Sequence, residues 1–147
     1  MNDKQVKEIL FVDDSDDEAF ITRLILQREK VDLSIAHHTN YNSVCEYLKN
    51  IDQDYPVLAF IDLNMPIQNG IEMIEQLYID FDNSKVIAGI FSGSQDPKDK
   101  QDARNAGAYF FINKPMNSDF LVEMCNMYPM YDFITDSDGI KKLLINY

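Results

Sequence analysis

The chain has 147 residues, 46% hydrophobic and 26% charged, which is the make-up of one folded domain and excludes a disordered or low-complexity chain. Thirteen Lys and Arg against 25 Asp and Glu leave a formal charge of −12, which disfavours direct capture of nucleic acid or an anionic membrane, since phosphate contacts need cations. No apolar run approaches the roughly 18 residues of a membrane span, and the opening MNDKQVKEIL has no secretory apolar core.

The first short apolar run is EILFV (8–12), a strand that closes in VDDSDDE, where five of the six residues from Asp13 to Glu18 are acidic. Helical spacing follows, with Ala19, Phe20, Leu24, Ile25 and Leu26 tracing one apolar face ahead of REK. DLSIA (32–36) reads as the second strand and ends at His37-His38, which are expected to be solvated loop histidines. Val44, Cys45, Leu48 and Ile51 mark the second helix. VLAFI (57–61) is the third strand, ending at Asp62, and Ile71, Ile74, Leu77 and Tyr78 mark a third helix after Asn69-Gly70.

The fourth strand, VIAGIF (86–91), ends at Ser92-Gly93. The connection DPKDKQDARNAG is polar enough that only Ala103 and Ala106 can face a core, so it predicts a weakly anchored helix. AYFFI (108–112) is the fifth strand and runs into Lys114-Pro115. SDFLVEMCNM is a final helix stopped by Pro129, and YDFITDSDGIKKLLINY carries mixed signals. Met124, Met127, Tyr128, Met130 and Tyr131 are read as packing residues. Cys45 and Cys125 lie far apart in no metal-like spacing and are expected to be reduced thiols of a cytoplasmic protein.

Nearly continuous apolar strands alternating with helices predict an α/β fold, a parallel sheet covered on both faces by right-handed crossovers. In such sheets the site lies outside the carboxyl ends of the strands. Those ends read Asp13-Asp14, His37-His38, Asp62, Ser92 and Lys114-Pro115. With no internal repeat and no Pro/Gly/Ser linker, one domain is expected.

Asp13, Asp14 and Asp62 brought to one rim would repel, and one of them would be pushed toward protonation. A hard divalent cation removes that cost, and Mg²⁺ in particular takes one or two protein carboxylates, keeps waters and binds phosphate oxygens. Lys114 adds the opposite charge and Ser92 a hydroxyl, while Gly93 leaves room for a bulky anion. The set describes phosphoryl transfer, with Asp62 as nucleophile, Asp13 and Asp14 holding the metal, and Lys114 with Ser92 positioning the equatorial oxygens. Asp16, Asp17 and Glu18 fall at the start of the first helix, where they complement its dipole and are not expected at the site.

Over residues 6–128 these features resemble the receiver domain of two-component response regulators. Asp13-Asp14, Asp62, Ser92 and Lys114-Pro115 fall where that family has its acidic pair, phosphoacceptor, hydroxyl residue and Lys-Pro. Asp62 and Ser92 are 30 residues apart and Ser92 and Lys114 are 22 apart, as in the family. The resemblance implies a flavodoxin-like (βα)5 doubly wound sheet of strand order 2-1-3-4-5. It also implies an Asn64 backbone carbonyl in the Mg²⁺ shell, a cis peptide before Pro115, and Phe111 as a switch aromatic that moves when Ser92 is drawn to the phosphoryl group. Asn64 and Ser94 would line the path of hydrolytic water.

By the same resemblance the protein is a single-domain signalling phosphoacceptor rather than an enzyme on external substrates. It would be charged by a histidine kinase or phosphotransfer protein and read by a downstream protein of unknown identity. A homodimer through the face of the fourth helix, fifth strand and fifth helix is a further option. Residues 1–128 would form the receiver and 129–147 an extension that packs back or lengthens a dimer interface, with no separate output domain. Three rivals remain: an aspartyl-phosphate hydrolase of haloacid type, a flavin carrier on the same architecture, and a pseudo-receiver that only binds partners.

Overall fold

The computed structural model describes residues 3–147, whose strands are β1 (Asp3–Val6), β2 (Glu8–Val12), β3 (Ser34–His38), β4 (Val57–Asp62), β5 (Val86–Ser92), β6 (Phe111–Asn113), β7 (Tyr131–Thr135) and β8 (Lys141–Asn146). Between them lie α1 (Asp16–Arg28), α2 (Tyr41–Asn50), α3 (Gly70–Asp80), α4 (Pro97–Ala106) and α5 (Ser118–Met127). The five apolar runs pair in parallel in the order β3-β2-β4-β5-β6. Counting only those five strands, this is the 2-1-3-4-5 order of the flavodoxin-like fold.

Each helix begins where a side chain can accept a free backbone N–H. Ser15, Asn40, Asn69, Asp96 and Asn117 cap α1 to α5 in turn, and Asn69 forms a reciprocal capping box with Glu72. The polar α4 buries only Ala103 and stops at Gly107, whose φ of 109° suits a residue without Cβ.

The sheet separates two buried layers. One contains Phe11, Phe60, Phe91, Phe110 and Phe120, the other Leu10, Ile61, Ile74 and Leu77. Phe60 packs against Phe110 at 5.3 Å and Phe120 at 5.2 Å between ring centroids. Gly89, opposite Phe60 in the ladder, makes room for this stack, because a Cβ there would stand 1.9 Å from a Phe110 ring carbon. Phe110 is buried and cannot swing away, so Gly89→Ala is expected to lower the stability by about 1–3 kcal/mol in a urea titration.

Three sequence expectations are corrected here. The buried face of α1 is Ala19, Thr22 and Leu26, whereas Phe20 and Leu24 point outward at 60% and 43% exposure. The 3.6-residue spacing reports one apolar stripe but not whether the domain's own core covers it. The second strand runs two residues further than read, so His37 and His38 are half-buried strand residues rather than solvated ones.

The mixed tail forms a hairpin. β7 and β8 pair antiparallel around a turn in which Asp136 Oδ1 accepts the N–H groups of Asp138 and Ile140, and Gly139 sits at φ 81°. β8 then pairs antiparallel with β1, giving a three-stranded sheet β1-β8-β7. Lys141 stitches the hairpin to the turn after α1, its N–H bonding Lys30 O and its carbonyl accepting from Asp32 N, both at 2.8 Å. Tyr131, Leu143 and Ile145 are buried in the same cluster as Phe11 and Phe60.

Candidate functional site

Adjacent parallel strands deliver their carboxyl ends to one rim, so β2 hands over Asp13 beside the Asp62 of β4, while β5 ends at Ser92 and β6 leads into Lys114. Asp13 is 1% exposed, and its Oδ1 accepts from the Ser15 N–H at 2.9 Å. Its Oδ2 is buried without a hydrogen-bond partner among the described residues. Asp62 is buried at the strand end and Asp14 is exposed beside it.

Lys114 Nζ sits among the acids, 3.2 Å from Asp62 Oδ1, 3.5 Å from Asp13 Oδ2 and 3.8 Å from Glu18 Oε1, and 4.9 Å from the centroid of the Phe91 ring. Its backbone N–H donates to Ser92 O at 2.9 Å, and the Lys114–Pro115 peptide is cis. Burial pushes the Asp62 and Asp13 carboxyls above the ordinary carboxylate range, and the Lys114 charge only partly restrains them. Burial also pulls on the Lys114 ammonium, but Asp62, Asp13 and Glu18 outweigh it and raise its pKa above the usual lysine value.

One ammonium thus serves several acids, and the cluster keeps an excess of negative charge. Asp13, Asp14 and Asp62 each offer an oxygen, all within 4.8 Å of one another. Together with Asp13 Oδ2, which takes part in no hydrogen bond among the described residues, this donor set suits a hard oxygen-seeking dication such as Mg²⁺.

The loop after Asp62 is drawn tight by Gly70, whose N–H donates to Leu63 O at 2.9 Å and whose absent Cβ would lie 2.4 Å from Asp62 O. Asn64 is exposed within that loop. Ser92 is fully buried, and its Oγ accepts from the Ser94 N–H at 2.9 Å. The Ser94 hydroxyl donates to Asp99 Oδ2 at 2.7 Å and accepts from Asp96 N at 3.2 Å, at the start of α4. Phe111 is half-buried, with Lys100, Arg104, Tyr109 and Met127, at a surface cavity of about 310 Å³ between α4 and α5.

Two contributors lay outside the sequence reading. Glu18 reaches Lys114 from the first turn of α1, where it was expected only to serve the helix. The His37 side chain, 12% exposed, has Nε2 2.7 Å from the Asp13 backbone carbonyl; a carbonyl can only accept, so Nε2 carries the hydrogen and pins the chain at Asp13. Its signal was topological, since His37 lies opposite Phe11 in the β2–β3 ladder. His38 Nδ1 is 3.0 Å from Ser43 Oγ, and burial lowers its pKa.

Residues 9–126 match the family model described as the response regulator receiver domain. Comparison with well-characterised protein sequences gives no match. Among solved structures, the chain is similar to a two-component response regulator from Cytophaga hutchinsonii, at 26% identity and TM-score 0.70, covering 84% of this chain and 96% of that one. It is also similar to a CheY-like receiver domain protein from Methanospirillum hungatei, at 24% identity and TM-score 0.62, covering 82% and 91%. A third is the Saccharomyces cerevisiae co-crystal of the histidine phosphotransfer protein Ypd1 with the receiver domain of Ssk1, at 23% identity and TM-score 0.65, covering 86% and 91%. The family match takes in all of the parallel sheet but Glu8 and every strand end of the acidic rim, and the chain belongs to the response regulator receiver domain family.

Proposed function

We propose that Asp62 is the phosphoacceptor, taking a phosphoryl group from a histidine of a kinase or phosphotransfer protein. The observation that carries this reading is the Asp62 carboxylate itself, at 3.2 Å from Lys114 Nζ and grouped with Asp13 and Asp14. An Asp62 oxygen attacks phosphorus and forms the P–O bond as the N–P bond of the donor breaks, its electron pair returning to the imidazole nitrogen. Asp13, Asp14, Asp62 and the Asn64 carbonyl would hold Mg²⁺, which supplies positive charge to the phosphoryl oxygens. Lys114 orients and neutralises another equatorial oxygen, and the Ser92 hydroxyl donates to it. Ser92 and Phe111 then carry the change to the face of α4, β6 and α5, so the role is signalling through altered partner affinity.

The donor surface is α1, which begins at the acidic rim and presents Phe20, Ile21 and Leu24 at 60%, 48% and 43% exposure. An apolar helical face beside the phosphoacceptor fits a helical donor, and the yeast complex pairs a receiver domain with a histidine phosphotransfer protein.

The test is intact mass after incubation with Mg²⁺ and a small phosphodonor. One phosphoryl adduct is expected, absent when EDTA removes the metal. An unmodified protein would overturn the reading, and multiple turnover of small phosphoesters would favour the hydrolase instead.

A further inference from the structure

Asn113 ends β6 one residue before Lys114, and its carboxamide is engaged with the loop that joins β5 to α4. Nδ2 donates to Ser94 O at 2.9 Å and lies 3.5 Å from Ser92 O. Ser94 is therefore fastened on both sides, its carbonyl by Asn113 and its N–H by Ser92 Oγ. Its own hydroxyl ties the loop forward to Asp96, the cap of α4, and to Asp99 in its first turn. Gly93 between them is sterically free, since a Cβ there would meet nothing within 4 Å.

The Ser92 hydroxyl accepts one hydrogen bond from Ser94 and, among the described residues, donates none. If Asp62 is phosphorylated as proposed above, that unused hydrogen belongs on a phosphoryl oxygen, and this inference rests on that reading. Reaching the phosphoryl group requires the Ser92 side chain to leave its present setting or to carry the Ser94 backbone with it. Either movement disturbs a residue that Asn113 holds from a different strand, and Gly93 is the natural pivot.

We infer that Asn113 is a positioning residue, a latch whose carboxamide favours the loop arrangement seen here over the one in which Ser92 engages a phosphoryl oxygen. The latch sets the balance between the two states without touching the reacting atoms. Removing one hydrogen bond made only in the resting state shifts that balance toward the engaged state.

The probe is beryllofluoride with Mg²⁺ on the full chain, followed by fluorine NMR and by the backbone amide signals of Gly93 and Ser94. Asn113→Ala is expected to bind beryllofluoride roughly three- to ten-fold more tightly than the wild type. Its Mg²⁺ affinity without fluoride should be unchanged. Before any addition, its Gly93 and Ser94 signals should lie displaced toward their beryllofluoride-bound wild-type positions. Asn113 is exposed, so the variant should fold. Asn113→Asp, which turns an acceptor toward two carbonyls, should move the same readouts in the same direction. Equal or weaker beryllofluoride binding with unmoved amide signals would overturn the latch. A wild type that binds no beryllofluoride would overturn the Asp62 reading and the latch together.

Discussion

Asp62→Asn should take up no phosphoryl group and yet unfold at a higher temperature than the wild type when both are held in EDTA. The first half follows from chemistry, since an amide offers no carboxylate nucleophile and Asp13 Oδ1 is committed to the Ser15 N–H. The second half follows from linkage. Burial raises the Asp62 and Asp13 carboxyls above their unfolded values, so between the unfolded and folded pKa values the native state binds more protons than the unfolded chain. Stability therefore falls as pH rises through that window, and the cost persists at neutral pH. An amide has no proton to lose, so the variant escapes its share. Lys114 keeps Asp13 at 3.5 Å and Glu18 at 3.8 Å and is not stranded. Lys114 follows the same sign in a different window: its raised pKa gives stability that is intact at neutral pH and is lost only in strong alkali. A gain of about 1 kcal/mol, roughly 2–4 °C in Tm, is expected, and acidification should stabilise the wild type more than the variant. Saturating Mg²⁺ should reverse the order, because binding to the native state alone adds about 2.7 kcal/mol at a hundred times its Kd. A variant that unfolds below the wild type in EDTA would show that the acidic cluster is not under strain.

Leu143→Ala should lower stability by about 2–5 kcal/mol although it lies outside the stretch that matches the family, residues 9–126. Leu143 is fully buried, faces Val6 across β1–β8 and Phe133 across β7–β8, and shares a cluster with Phe11, Phe60 and Leu121. Removing it leaves a cavity in the core that carries β2, the strand that delivers Asp13. Unfolding followed by far-ultraviolet circular dichroism and tyrosine fluorescence should remain one coincident transition shifted to lower denaturant. An early separate transition, or a loss below about 0.5 kcal/mol, would mean instead that the hairpin is an appendage with little share in the core.

The parallel sheet was legible because strands buried on both faces must be apolar throughout, and short runs such as VLAFI and VIAGIF recur between helical segments. Once the runs were placed, Asp13, Asp62, Ser92 and Lys114 followed as strand-end residues. What escaped depended on partners distant in sequence. Thr22 is polar but buried, while Phe20 and Leu24 are apolar but exposed, so composition pointed to the wrong side of α1. His37 bonds a backbone carbonyl 24 residues earlier, and a carbonyl leaves no mark in a sequence. The tail did carry a hairpin signal in Asp136–Gly139, but its strands make sense only with Asp3–Val6, more than 130 residues away.

The pairing of β1 with β8 sets Asp3 directly opposite Asn146, in a sheet separate from the one whose strand ends form the acidic rim, and β1 leads through Lys7 into the amino end of β2, opposite the end that carries Asp13. A pulling force applied between those two residues would load the ladder one rung at a time, peeling it open rather than shearing it. The joint would yield from Asp3 toward Val6, with Lys7 alone separating it from β2. Tension at this joint would loosen the molecule from the bottom, and the phosphoacceptor rim would be among the last parts to feel it.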